Sequence, residues 1–212
     1  MSALFAKQMG IPIPKVICAS NLNCIISDFI ASGEYDLSIR KLLDSNSPDL
    51  DILNSSNLDK FIYHASGGDG NFTAEDKSRR SSWLCSEDDC LRAIREVHAT
   101  TGYIIDTHTA VGKVVGNRIH DKNCPLVICS TAHHGKFAPA VLKALQCQNI
   151  PQDPVKQLDK LCTIGCLEQL HEALLKCMRD SGDHPHKIFQ ADFNKLADKL
   201  SLFCFFFHKS QW

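Results

Sequence analysis

The sequence predicts an α/β protein with an open sheet and flanking helices. Two stretches and the composition predict it. Residues 103–137 read as strand, helix, strand, helix, the unit of an open α/β sheet. Residues 16–33 read as an apolar run followed by an amphipathic helix. Hydrophobic content of 44% with 22% charged residues is that of an ordinary globular chain.

The 103–137 unit is the best defined. Tyr103–Ile105 is apolar but too short by itself to establish a strand. Asp106 or Thr107 supplies a short side-chain oxygen that can accept from the free N–H groups of a first helical turn. Val111, Val114, Val115 and Ile119 fall at i, i+3, i+4 and i+8, one helical face. Asp121-Lys122-Asn123 makes a polar turn. Leu126–Cys129 is a compact apolar run, as expected for a strand buried on both faces. A second helix is expected near Lys136–Leu145. In open sheets ligands sit beyond the carboxyl ends of the strands. That places Asp106, Thr107 and His108 at one strand end, and Ser130, Thr131, Ala132 and His133 at the other.

The remaining elements follow in order. Met1–Met9 reads as a helix end stopped by Gly10, with Pro12 and Pro14 preventing continuation. Val16–Ala19 is a buried strand candidate. Asn21 can cap the next helix, whose stripe is Leu22, Ile25, Ile26, Phe29 and Ile30, and Gly33 ends it. Asp44–Asn57 is a loop with a short structured piece, and Asn57–His64 a short helix. Ala65–Ser82 is glycine-rich and charged, and a mobile loop is expected. Gly67-Gly68-Asp69-Gly70 lacks the Gly-Lys-Ser/Thr ending of a phosphate loop. Ser86–Asp89 opens a helix carrying Cys90, Leu91, Ile94, Val97 and His98 on one stripe. Residues 1–150 are expected to form one domain. Gln148–Asp153, with Pro151 and Pro154, then links it to a helical tail over 151–212, in which Leu167, Leu170, Leu174, Leu175 and Met178 make one helix and Phe193, Leu196 and Leu200 another.

A net charge of −1 offers no electrostatic case for nucleic acid or an anionic membrane. Eleven cysteines include no C-x-x-C pair, which argues against a structural zinc site. An odd total spread through helix and strand patterns suits buried thiols in a reducing compartment. The start has no signal-like apolar core and no stretch is long enough to span a bilayer, so the expected location is intracellular, cytoplasmic or mitochondrial. His133 and His134 are adjacent and do not share a face, so surface or hydrogen-bonded histidines are expected rather than a metal site.

Several segments together resemble the threonine synthase family, including the threonine synthase-like proteins of animals. The family pattern is roughly Asp-Pro-His-Thr-Ala-Val-Gly, a helix, an apolar strand, then Ser/Ala-Thr-Ala-His-Pro-Ala-Lys-Phe. This chain has Asp106-Thr107-His108-Thr109-Ala110-Val111-Gly112 and Ser130-Thr131-Ala132-His133-His134-Gly135-Lys136-Phe137. Upstream, Lys15–Asn21 with Phe29–Tyr35 is similar to the family's Ala-Thr-Asn and Thr-Gly-Glu-Tyr segments. Ser47-Pro48-Asp49-Leu50-Asp51-Ile52 with Ser55-Ser56-Asn57 is similar to its Ser-Pro-x-x-Asp-Ile…Ser-Ser-Asn run. Thr107 stands where the family has proline, and His134-Gly135 where it has Pro-Ala.

The resemblance implies the C-terminal part of a fold-type II enzyme that uses pyridoxal 5'-phosphate (PLP), related to the beta subunit of tryptophan synthase. The implied activity is phospho-lyase chemistry on O-phosphohomoserine or a related phospho-amino acid. Thr131, with Ser130, takes the cofactor-binding position, because fold-type II enzymes place a Ser or Thr hydroxyl against the pyridine nitrogen. Asp106, His108 and Thr109 become substrate-pocket candidates. Lys136 is not the Schiff-base lysine, and no segment matches that lysine or the phosphate loop. A truncated chain without its own catalytic residue or turnover is therefore expected. The alternative is a non-catalytic isoform that binds a partner or signals. An exposed apolar seam would then favour self-association or a protein partner.

Overall fold

The computed structural model describes residues 2–38, 40–66, 68, 80–164 and 172–179. Helix α1 (Ser2–Gln8) precedes strand β1 (Val16–Ser20) and helix α2 (Ile25–Ser32). A 3-10 turn at Pro48–Leu50 leads to α3 (Ser56–Ala65) and β2 (Arg80–Leu84). Then come α4 (Glu87–Thr101) and α5 (Thr107–Ile119). A second 3-10 turn, His134–Phe137, opens into α6 (Ala138–Ala144), followed by α7 (Pro154–Thr163). Helix α8 (Glu172–Arg179) carries part of the stripe expected for the tail.

Strands β1 and β2 run parallel, with Val16 opposite Arg80 and Ser20 opposite Leu84. Both α2 and α5 pack on this pair, α4 packs on α5 and α6, and α7 on α6. The architecture is therefore α/β. The core runs through Ile25, Phe29, Ile94, Ile104, Val111, Val115, Val141, Leu142, Leu158 and Leu161, all buried. Each such side chain contributes about 1.5–3 kcal/mol on leaving water.

Local chemistry explains the helix ends. Ser86 Oγ accepts from the Asp89 N–H at 3.2 Å and donates to Asp89 Oδ2 at 2.8 Å, a reciprocal lock on the first turn of α4. Gly33 and Gly102 close α2 and α4 in left-handed conformations, with φ of 82° and 72°. Asp153 accepts from the Lys156 N–H at 2.9 Å and starts α7 with Pro154 in its first turn. That helix lies in the stretch expected as a helical tail, although its own residues were not singled out, and its Leu158 and Leu161 are buried.

Several expectations are corrected. Leu126–Cys129 has no regular secondary structure and is not a strand buried on both faces, and Val127 is 85% exposed. Tyr103–Ile105 is not a strand either, although Ile104 and Ile105 are buried. A strand exists only where a neighbour completes its ladder, and among the described residues only β1 and β2 do so. Strand β2 lies partly in the stretch read as loop, because backbone pairing does not require an apolar sequence. β1 is half-buried rather than buried along most of its length. Asn21 does not cap α2; Cys24 holds the cap position without a side-chain bond. Among the nine described cysteines only Cys85 and Cys90 are buried, while Cys129, Cys162 and Cys177 are exposed. The mobile-loop expectation for residues 67 and 69–79, and the expected helix around Phe193–Leu200, lie outside the described residues.

Candidate functional site

The N-terminus of α5 is built around one carboxylate. Asp106 is only 2% exposed. Its Oδ1 accepts from the N–H groups of His108 and Thr109 at 2.8 and 3.2 Å, and its Oδ2 accepts from the Thr109 hydroxyl. Burial pushes the carboxyl up, but the hydrogen bonds from His108 and Thr109 outweigh it. They hold Asp106 below its ordinary value. The sequence folds this way because an aspartate at the N-cap matches the unpaired donors of the first turn.

His108 extends the arrangement. Its Nε2 accepts from the Asp49 N–H at 3.0 Å, which assigns the ring proton to Nδ1, 3.2 Å from Asp106 Oδ1. The ring lies against Phe137, centroids 4.4 Å apart. Asp49 Oδ2 in turn pairs with Lys136 Nζ at 2.6 Å. The loop carrying Asp49 is clamped by Asp51. Asp51 Oδ1 accepts from Asn21 Nδ2 at 2.7 Å, Asn23 Nδ2 at 2.8 Å and Ser45 Oγ at 2.7 Å, and Oδ2 accepts from the Ser45 N–H at 2.9 Å. This clamp is where Asn21 is used instead of the α2 cap.

Opposite lies the segment after Leu126–Cys129. The Thr109 hydroxyl, besides its bond to Asp106, reaches Ser130 Oγ at 3.2 Å. Together the two segments enclose a cleft of about 330 Å³ lined by Tyr103, Ile104, Asp106, Ser130, Thr131, Ala132, His133 and His134. Ser130 and Thr131 are exposed, in contrast to buried Asp106, His108 and Thr109. His133 Nδ1 accepts from the Gly135 N–H at 3.1 Å, so its Nε2 carries the proton. That Nε2 is buried and has no partner among the described residues. His134 is 3% exposed and its ring lies 4.2 Å from that of His133, so of the two settings expected, surface or hydrogen-bonded, it does not take the surface one.

The structure thus brings the two expected ends together. Asp106, Ser130 and Thr131 line one cleft, and Thr109 bridges Asp106 to Ser130. His108 stands behind Asp106 and does not line the cleft. Sequence reasoning missed Tyr103, Ile104 and the Asp49–Lys136 pair. Asp49 lies 87 residues from Lys136, and no local pattern reports such a contact.

Comparison with known proteins places this geometry in context. Residues 109–165 match the family model described as threonine synthase, C-terminal. The chain is 42% identical to the threonine synthase-like 1 protein of Homo sapiens over 221 residues, covering 94% of this chain and 30% of that protein. It is 31% identical to the threonine synthase of Saccharomyces cerevisiae, covering 68% of this chain and 35% of that enzyme. Among solved structures, PLP-bound threonine synthase from Brucella melitensis superposes with a TM-score of 0.66 at 27% identity, covering 84% of this chain and 38% of that one. Yeast threonine synthase gives 0.69 at 26% identity, covering 94% and 44%. The chain spans about 30% of the length of the threonine synthase-like 1 proteins it matches.

Proposed function

The chain belongs to the threonine synthase family, and from that premise we propose that it forms the pyridine-side wall of a PLP site serving a phospho-lyase of phosphorylated amino acids. The observation that carries this reading is the shared cleft: the hydroxyls of Ser130 and Thr131 stand across from the fixed Asp106–Thr109 turn.

The donor set fits one edge of the cofactor. The lining residues offer three hydroxyls, those of Tyr103, Ser130 and Thr131, and a ring N–H, and include no lysine or arginine. A hydroxyl donates to a pyridine nitrogen without converting the ring to a full pyridinium, as a carboxylate partner would. Thr131 would hold that nitrogen, with Ser130 beside it. When bound, PLP supplies an electron-withdrawing ring that lowers the barrier to bond breaking at an amino acid's α-carbon. Asp106 does not serve as the ring partner, because its oxygens are taken by His108 and Thr109. Its work is to orient the turn that faces Ser130. No lining residue can supply the anchoring amine, and no glycine-rich turn lines the cleft to seat a phosphate. Those groups therefore come from outside this wall, and the chain alone is expected to release no phosphate from O-phosphohomoserine.

The test is a titration of the isotopically labelled full chain with pyridoxine 5'-phosphate, which has the ring and phosphate but cannot bond to an amine. The expected result is a displacement of the amide signals of Ser130, Thr131 and Ala132 that Thr131→Val greatly weakens. Signals moving only elsewhere, or none moving at millimolar ligand, would remove Thr131 from the role. Phosphate release by the chain alone would overturn the claim that the anchoring groups lie elsewhere.

A further inference from the structure

We propose that His108 is a proton-operated latch on the Asp49 loop: with one ring proton it holds the Asp49 N–H, and on taking a second it releases that N–H and draws the Asp49 carboxylate away from Lys136.

The latch rests on the different duties of the two ring nitrogens. Nε2 accepts from the Asp49 N–H at 3.0 Å, which it can do only without a proton of its own. The single ring proton is therefore on Nδ1, 3.2 Å from Asp106 Oδ1 and 3.3 Å from the Thr107 hydroxyl. A second proton goes to Nε2. Two N–H donors then face each other, and His108 is buried, with little water at hand to separate them. The bond to the Asp49 N–H is lost.

The surroundings supply a new partner for the charged ring. Asp106 is kept ionised by the donors of the first turn of α5, so a fixed negative charge stands beside Nδ1. The Asp49 carboxylate belongs to the residue that loses its bond, and a side-chain rotation brings it toward Nε2. In the latched state it pairs with Lys136 at 2.6 Å, and both side chains are half-exposed. Such an exposed pair is weak, whereas a carboxylate on a buried imidazolium makes a charge-assisted bond. The other element against the ring is the 3-10 turn His134–Phe137. It contributes the Phe137 ring, 4.4 Å away between centroids, and carries the titratable His134 and Lys136. Burial opposes the charge on the ring, and the two carboxylates act against that opposition.

The rest of the loop has its own anchors. The Asp51 clamp and the bond from the Asn46 N–H to Glu87 Oε2 at 2.6 Å do not involve Asp49, so the motion stays local to it. It bears on the cleft because Asp49 ties two elements together. Its N–H holds the start of α5, and its carboxylate holds the turn that follows Ser130–His133. Release loosens one side of the cleft from the other. That consequence for a bound ring rests on the cofactor reading above, and the latch itself does not.

Nuclear magnetic resonance of the nitrogen-labelled full chain, titrated from about pH 8 to about pH 5.5, tests this across the range where histidines change charge. At the upper end His108 should carry its proton on Nδ1. On acidification Nε2 should gain a proton, and the Asp49 amide signal should move over the same pH interval while that of Ser45 stays in place. His108→Gln offers an oxygen to the Asp49 N–H but does not titrate, so there the Asp49 signal should hold still. Asp49→Asn keeps the N–H and removes the second carboxylate, so protonation of Nε2 should shift to lower pH. A ring protonated on Nε2 at the upper end, or one that keeps a single proton throughout, overturns the proposal. So does an Asp49 signal that stays put while the ring takes its second proton, or an Asp49→Asn chain that titrates like the parent. An Asp49 signal that moves as far in His108→Gln as in the parent also overturns it, and would give the movement to another group such as His134. The parent titration still decides if His108→Gln fails to fold. Pyridoxine 5'-phosphate takes no part, so failure of the cofactor reading would leave this result standing.

Discussion

The two segments that meet at the cleft are made of similar residues and are held in opposite ways. Asp106, Thr107, His108 and Thr109 are buried, and the carboxylate of Asp106 collects donors from the turn that follows it. Ser130 and Thr131 are exposed, and the run before them makes no backbone hydrogen bond to a described residue. The difference teaches that a helix N-terminus completes itself locally, because its cap and its unpaired N–H groups lie within four residues. A run without regular secondary structure has no such local solution. Its backbone groups are satisfied only by a neighbour distant in sequence or on another chain.

The largest effect expected is on the fixed wall. Asp106→Ala removes a cap and leaves buried donors unpaired, and should cost about 2–3 kcal/mol in denaturant unfolding. Thr131→Ala should stay within about 0.5 kcal/mol of the parent, as for an exposed side chain with no partner among the described residues. Equal losses would erase the contrast between the walls.

Acid should affect the fixed wall next. The folded Asp106 carboxyl lies below its unfolded value, so its contribution is present above the unfolded value of about 3.9 and fades as pH falls through the lower, folded one. Thermal unfolding should therefore show a loss below about pH 4 that is reduced in Asp106→Asn. An unchanged acid limb would mean that other carboxylates dominate it.

A smaller effect distinguishes the walls by displacement. Gly116→Ala adds a Cβ 2.9 Å from Leu126 Cδ2, the movable end of a side chain, while removing a helix-interior glycine. The helix gain of up to about 1 kcal/mol offsets the crowding, so global stability should change little. Amide signals of residues 126–129 should shift while those of His108 and Thr109 stay in place. Shifts on both sides would mean that the walls are coupled.

The smallest effect is chemical. Cys90 is buried beneath the fixed wall, donating to the Thr107 carbonyl, and burial pushes its thiol up. Cys129 is exposed at the end of the open run. A disulfide reagent should label Cys129 in the native chain and reach Cys90 only on unfolding. Cys85, whose thiol burial pushes up to about 12, should behave like Cys90.

What was legible in the sequence follows the same division. The cap at Asp106 or Thr107, which falls on Asp106, the Val111/Val115 face, the Gly33 stop and the Asp121 turn are all local, and each is found. The meeting of Asp106 with Ser130 and Thr131 was legible because both segments were placed at ends of one sheet unit. Leu126–Cys129 misled because an apolar run reports what would favour a strand, not whether a partner is present. β2 was missed for the converse reason: its partner is present and its composition is not apolar. Asn21 looked like a cap from its position before a helical stripe, but four donors converge on Asp51 and draw it into that clamp.

Native-state amide hydrogen exchange, at a concentration where the chain is monomeric, tests the contrast most directly. The amides of Ala110 and Val111, in α5 just beyond the cap, should exchange only through openings close to global unfolding in free energy, and those of Leu126, Val127 and Ile128 at nearly unstructured rates. Protection of all five to a similar degree would contradict the account, because the second wall would then already be paired within the chain.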